Sequence, residues 1–563
     1  MKKRLFPALL ALVLALTMLS VGVFASTDPD TSGSGGGTGA GGTTTTTPAG
    51  TKDDPFKITA TTVDGTKSQW GSGQTEGFLY LMDTGYYQLT ADISPAMIMP
   101  ANATVTIDLN GFDIVQSDAG GTNDQAVIYP YNCDVSIVNS NTGKSPTITS
   151  KATNVATIVV FATTAHTTTV EGVAIKNTNT NRSNSGCAIG VAPVQGGQAP
   201  ANQTVTIKNC TIEDYNGISV NGLVGEGNTI DLDNVNITPN AEGTGLYLAG
   251  PATTTVKGGT IEGGSRGIEI RAGELNVQDG AVIKGGNGEP TSTGNNSGST
   301  TTNAGIAVAQ HTTVKPITVN IEDGAQVSGG AALYVTNPQQ NTHTTVDQTV
   351  TVSGAGTTLT STHTDPTTNA TGDAVYAQAP VDIVIKEGAK LDGNVTMKKD
   401  DNNTGKGGVD ITGATVDGDI TNNSGDGAAV TVRQSTVTGT IAENVGVVSG
   451  CTDGNGQPIK ETTSANANLK IESETTDAQL YAKVKISGMD TGKVYAIRLA
   501  KDQYKNNGEM TILIVDSVEN YTIYCKDGQK IWVFEYDSKD VIVAGNSQHT
   551  TLVEGTATKT TAP

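Results

Sequence analysis

The chain has 563 residues, 55 of them acidic against 34 basic, for a formal net charge of −21. Such a charge repels polyanions at long range and makes nucleic acid a poor partner. With 69 glycines, 4% aromatic and 16% charged residues, and Thr, Asn, Val and Ile dominating the rest, the composition favours many short strands and turns over helices.

The first residues read as an export signal. Lys2, Lys3 and Arg4 form a basic start, Leu5 to Leu16 an apolar stretch, and Val23-Phe24-Ala25 a small-residue cleavage site before Ser26. Residues 1–25 are therefore expected to be a signal peptide cleaved after Ala25. The alternative is an uncleaved anchor, since a bilayer span needs about 20 apolar residues. Nothing later in the chain is apolar enough to span a membrane, so no insertion is expected after cleavage. Residues 26–52, nearly all Gly, Thr, Ser, Ala and Pro, read as a flexible linker.

From about residue 78 to residue 445 a repeat dominates. An apolar residue is followed at two by another, at four by Asn, Asp or Gly, and at seven by a third apolar residue, as in Val205, Ile207, Asn209 and Ile212. The frame recurs in Ile230, Leu232, Asn234 and Ile237, and again in Val409, Ile411, Gly413 and Val416. A variant with one residue more at the corner recurs in Asp279-Gly280-Ala281, Asp323-Gly324-Ala325 and Glu387-Gly388-Ala389. Between these units runs a second signature: Gly217-Ile218-Ser219-Val220, Gly245-Leu246-Tyr247-Leu248, Gly267-Ile268-Glu269-Ile270, Gly305-Ile306-Ala307-Val308 and Ala332-Leu333-Tyr334-Val335. Each unit thus supplies two or three short strands with period-two alternation and no helix between them. Stacked units of this kind make a solenoid whose coils pair in parallel, about a dozen of them, with Asn and Gly at bends that need positive φ.

Gly85-Tyr86-Tyr87-Gln88-Leu89-Thr90-Ala91-Asp92-Ile93, followed by Val105-Thr106-Ile107-Asp108-Leu109-Asn110-Gly111-Phe112-Asp113-Ile114, resembles the opening of pectin-lyase-like right-handed β-helix proteins. The resemblance covers residues 78 to about 450 and implies an all-β fold, a right-handed parallel β-helix over residues 55–455. It leaves function open among polysaccharide lyases, hydrolases, noncatalytic polysaccharide binders and surface adhesins. Many relatives carry His after the Asn-Gly, where this chain has Phe112. Residues 462–553 change texture to longer strands and read as a small C-terminal β-sandwich-like domain, with Trp532 and Phe534 as core or edge residues. Residues 554–563 read as a polar tail.

In the pectin-lyase-like enzymes the cleft lies along an outward sheet face. The outward residues of the second signature here run Ser219, Tyr247, Glu269, Ala307, Tyr334 and Tyr376, with Asn221, Arg271 and Thr336 two residues on. Tyr247, Glu269, Arg271, Tyr334 and Tyr376 are the candidate glycan-binding residues, through stacking and hydrogen bonds. The face offers one acid where glycoside hydrolysis needs a pair, so no catalytic residue is assigned. Asp231 and Asp233 project together from one strand, but Lys208, Asp233 and Lys257 in one column read as stacked opposite charges. The five histidines, His166, His311, His343, His363 and His549, and the five cysteines, Cys133, Cys187, Cys210, Cys451 and Cys525, lack metal-ligand spacing, so no metal or cofactor is implied and calcium lacks support.

The expectation is a secreted or envelope-associated bacterial scaffold, adhesin-like, whose partner is a polysaccharide, a cell-surface glycan or a protein. The alternatives are a lyase or hydrolase of a uronic-acid polymer and a purely structural spacer. The inserts Asn287 to Asn303 and Asn337 to Gln348 read as loops on the outside of a packed rod. Deleting the first is expected to leave thermal stability nearly unchanged.

Overall fold

The repeat becomes structure through its corners. Asn209 and Asn234 sit at φ of 51° and 53°, and Asp279, Asp323 and Glu387 at 55°, 52° and 57°, each of the last three followed by a glycine that is also left-handed. L side chains resist this conformation, Asn and Asp least, so these corners fix where each strand ends. On either side the apolar residues point inward: Ile107, Ile137, Val170, Ile207 and Leu232 stack in one ladder, all of them buried.

The computed structural model describes residues 50–560 apart from 73–75, 102, 118–124, 163, 181–185, 193–198, 240–241, 296–297, 310–314, 337–347, 369, 379–380, 399–406, 425–427, 449, 461–469, 475–480, 500–510, 517 and 537–550. The signal segment, nearly all of the linker, almost all of the Asn337 to Gln348 insert, and His311, His343 and His549 lie outside the described residues. The fold is an all-β parallel β-helix, in two compact units divided between Thr254 and Thr255. Among the described residues no helix is long and apolar enough to cross a membrane.

In the first unit, one parallel sheet stacks Phe56–Ile58, Gly85–Leu89, Val105–Asp108, Val135–Val138, Thr167–Glu171, Thr204–Lys208 and Asn228–Asp233. A second stacks Ile158–Val160, Cys187–Val191, Asn216–Val220 and Thr244–Leu248. A third runs from Ile114–Val115 through Thr147–Ser150, Ala174–Asn177 and Thr211–Glu213 to Asn236–Ile237. Three strands per coil therefore enclose one aliphatic core.

The second unit repeats the plan. Its first sheet runs from Gly273–Gln278 to Gly446–Val447, its second from Arg266–Ile270 to Ile420–Asn423, and its third from Thr260–Glu262 to Thr452–Asp453. Beyond it the strands become antiparallel. Lys470–Glu474, Ala482–Ser487 and Asn520–Cys525 form one sheet; Thr511–Asp516, Val494–Leu499, Lys530–Tyr536 and Thr551–Thr556 form another. Val484, Ile486 and Ile523 of the first meet Tyr495, Ile497, Ile531 and Val533 of the second in a shared core, the arrangement of a small sandwich.

Two details depart from the sequence reading. Residues 554–556, read as the start of a tail, are the end of a strand paired with Lys530–Tyr536, and Ala557 beyond them is fully buried in the sandwich core. Trp532, Phe534 and Tyr536 alternate away from that core yet are also buried, with the Arg498 guanidinium 4.3 Å over the Phe534 ring. Arg433 of the β-helix and Arg498 are among the charges around Tyr536, so this outer face of the four-stranded sheet is closed.

Candidate functional site

The outward column expected from the second signature exists as a register. Gly190, Ser219 and Tyr247 follow one another in the first unit, and Glu269, Ala307, Tyr334 and Tyr376 in the second. What alternation does not determine is whether an outward side chain meets water. Tyr247 and Tyr376 are half-buried, whereas Glu269, Arg271 and Tyr334 are buried outright.

Glu269 lies between two arginines. Arg271 brings Nε and Nη2 each to 2.6 Å from Glu269 Oε1, and Arg266 Nε pairs with Oε2. The three side chains are 0%, 3% and 13% exposed for Glu269, Arg271 and Arg266. Oε1 is thus hydrogen-bonded by Arg271 and Oε2 is buried beside the Arg266 charge, so neither carboxylate oxygen faces solvent. The sequence reading paired Glu269 with Arg271 but missed Arg266, whose place at the start of the strand breaks the alternation that would have flagged it.

The insert read as a free outer loop supplies the cover, which corrects that expectation. Thr291–Asn295 and Gly298–Thr302 pair as an antiparallel hairpin, and it seats on the outward face: Arg266 Nη1 donates to the Thr301 carbonyl at 2.7 Å, and Thr336 Oγ1 donates to Ser292 Oγ at 3.2 Å. Thr301 is fully buried. The base of the insert needs glycine for close approach, because a Cβ on Gly330 would lie 2.0 Å from the Gly288 carbonyl oxygen. Removing this insert would break the Arg266 and Thr336 contacts and is now expected to lower stability, where the sequence alone led to the expectation of little change.

Further along the same column, the Tyr334 and Tyr376 rings stack with centroids 4.7 Å apart and planes 7° from parallel, against Ala304, Ala307 and Ala331. Burial, then the neighbouring Tyr376 and Asp373, holds the Tyr334 phenol well above its ordinary range. Asp373 accepts a 2.6 Å hydrogen bond from Thr396 Oγ1, yet burial raises its carboxyl above the usual range despite that bond and the charges of Lys398 and His363. The arrangement is a packed aromatic step with one half-buried acid beside it, and Tyr376 is the half-buried ring of the stack.

Lys208 Nζ meets Asp233 Oδ2 at 3.2 Å across paired strands, the charge ladder preferred over an acid pair. His166 lies with Nδ1 3.2 Å from Asp134, in a half-buried corner contact. Asn221 closes a turn by accepting the Leu223 amide at 2.9 Å. All five cysteines are buried and none is joined in a disulfide. Among the described residues no group of three or more His, Cys, Asp or Glu is placed to hold a metal ion. Compared with family models and with curated proteins, the chain matches none.

Proposed function

We propose that this chain is an exported, noncatalytic β-helical scaffold of the bacterial envelope, of pectin-lyase-like kind, that contacts glycans and acts by display. The observation that carries this reading is the state of Glu269. The one acid in the expected cleft column is sealed under a hairpin with both oxygens beside arginines, a strut rather than an acid or base. Export rests on Lys2 to Arg4 and the apolar stretch after them. The resemblance of residues 85–114 to the openings of pectin-lyase-like proteins supports the kinship, and Tyr247 and Tyr376 are the column residues with ring surface left for a sugar.

The test is a glycan array probed with residues 53–563, run beside a reducing-end and unsaturated-product assay on uronic-acid polymers. Discrete array signals without product support the reading. Product formation that disappears in Glu269→Gln overturns it in favour of an enzyme, and an array silent throughout overturns the glycan contact.

A further inference from the structure

Four large apolar or aromatic side chains are exposed among the described residues: Met82, Leu223, Tyr481 and Tyr524. Two of them come together. Tyr524 stands directly across from Lys483 in the three-stranded sheet of the C-terminal sandwich, and Tyr481 precedes Lys483 by two residues on the same outward side. They are 47% and 58% exposed for Tyr481 and Tyr524, and carrying the strand's alternation one residue back from Ala482 makes their places diagonal neighbours, about 7–8 Å apart. The remainder of the face is polar: Lys470, Glu472 and Glu474 on one flank, Lys483, Lys485 and Ser487 in the middle, Asn520 and Thr522 on the other. Lys526 continues it past the strand end, while Asp527 beyond turns its carboxylate to the Lys559 amide.

We propose that this face is a docking surface for an anionic polysaccharide, with Tyr481 and Tyr524 stacking on sugar rings and the lysines pairing with carboxylate or phosphate groups along the chain. Within a molecule of net charge −21, the face sets four lysines against two glutamates; Lys483 and Glu474 pair at 2.9 Å and Lys485 stands across from Glu472, so Lys470 and Lys526 carry the excess positive charge. A polyanion repelled by the body is held only by local positive charge, within a screening length of about 8 Å. Two separated phenol rings among Lys, Thr and Asn give a sugar its stacking platforms and hydrogen-bond partners, but lack the contiguous aliphatic surface at the heart of a protein interface. The opposite face of the sandwich, with Trp532, Phe534 and Tyr536, is closed.

This rests on the glycan-contact reading but puts the contact on a different surface, so the two fail separately. The experiment is affinity electrophoresis of residues 53–563 in gels containing polygalacturonate, a glycerol-phosphate polymer or neutral galactan, with thermal melts verifying that each variant folds. The expected result is retardation by one or both acidic polymers and not by galactan. It weakens with added salt, falls about tenfold or more in Tyr481→Ala/Tyr524→Ala and in Lys483→Glu/Lys485→Glu, and is unchanged in a control at the exposed Leu223, Leu223→Ala. Retardation that survives both double variants and disappears in Tyr376→Ala overturns the docking face while sparing glycan contact. Equal retardation by galactan overturns the anionic preference. Absence of binding to any of the polymers, together with a silent array, removes both proposals.

Discussion

Replacing Glu269 by alanine leaves the Arg266 and Arg271 guanidinium groups, both held against one carboxylate, without their shared counter-charge. Removing one partner of a buried ion pair costs about 3–5 kcal/mol, because the remaining charge keeps its desolvation penalty. Here two charges of like sign remain, so Glu269→Ala belongs at the upper end of that range. Glu269→Gln keeps an acceptor for Arg271 but loses the charge and sets an amide NH2 against the Arg266 guanidinium, and is expected to cost about 3 kcal/mol, the lower end of that range. Replacing Arg266, Glu269 and Arg271 together by Met, Leu and Met removes the burden along with the attraction and is expected to be neutral or stabilising. Coils of a solenoid open locally, so the assay is urea-dependent cleavage by a protease read beside far-ultraviolet circular dichroism. Exchanging residues 291–302 for a short Gly-Ser link uncovers the same cluster and is expected to lower the midpoint in the same assay. Glu269→Ala within about 1 kcal/mol of the parent, or a triple variant as damaged as the single one, would refute the buried-strut argument.

The corners predict a second effect: Asn234→Ala, at φ of 53° and donating to Asn209 Oδ1 at 2.9 Å, should cost about 1–2 kcal/mol in urea unfolding, while Asn234→Gly loses less because glycine keeps the backbone free. Asp108 supplies a pH dependence. Burial pushes its carboxyl up, but hydrogen bonds from Ser140, Gln88 and the Asn110 amide outweigh this and leave the folded value below the ordinary one. Its stabilisation is present above the unfolded value of about 4 and is lost as pH falls through the lowered folded value, so acid titration should show a loss below pH about 4 that is missing in Asp108→Asn. The thiols give a chemical test, since burial pushes Cys133 and Cys525 up to about 11 and all five cysteines are covered. A disulfide reagent at pH about 8 should find none of them in the native protein and all five in guanidinium; rapid native labelling of Cys210 would contradict the packing of its corner.

How much of this was legible depends on which physical rule each feature obeys. Val205, Ile207, Asn209 and Ile212 announce two strands and the bend between them, because inward alternation and a left-handed corner restrict residue type directly. The hairpin of Thr291–Asn295 and Gly298–Thr302 obeys neither rule. Its strands are Thr, Ser, Gly and Asn, held by backbone pairing and by contacts such as Thr291 Oγ1 to Thr302 Oγ1 at 2.6 Å, so nothing in its hydrophobic pattern separates it from a loop. The strands Lys470–Glu474 and Thr551–Thr556 escape notice for a similar reason, since charge and threonine mask the residues that face the sandwich core. Glu269 and Arg271 point outward as alternation requires. Their burial comes from an insert about 20 to 30 residues away in sequence, a distance no local pattern reports.

That difference bears on where recognition resides. A solenoid strand fixes direction for each side chain but leaves exposure to whatever the inserts and the terminal domain lay across it. Along the second sheet the cover has been laid, and the charges beneath it serve the fold; on the four-stranded side of the sandwich it has been laid again, over Trp532 and Phe534. The three-stranded side of the sandwich keeps in water two aromatic rings, the exposed aromatic side chains among the described residues. Tyr481 and Tyr524 lie outside the sandwich core, and although Lys483 and Lys485 stand across from Glu474 and Glu472, Lys470 and Lys526 leave the face with a charge opposite to that of the chain as a whole. Side chains that contribute little to folding and oppose the prevailing electrostatics are better accounted for by a partner than by stability, and a polyanion that stacks on rings matches both features at once.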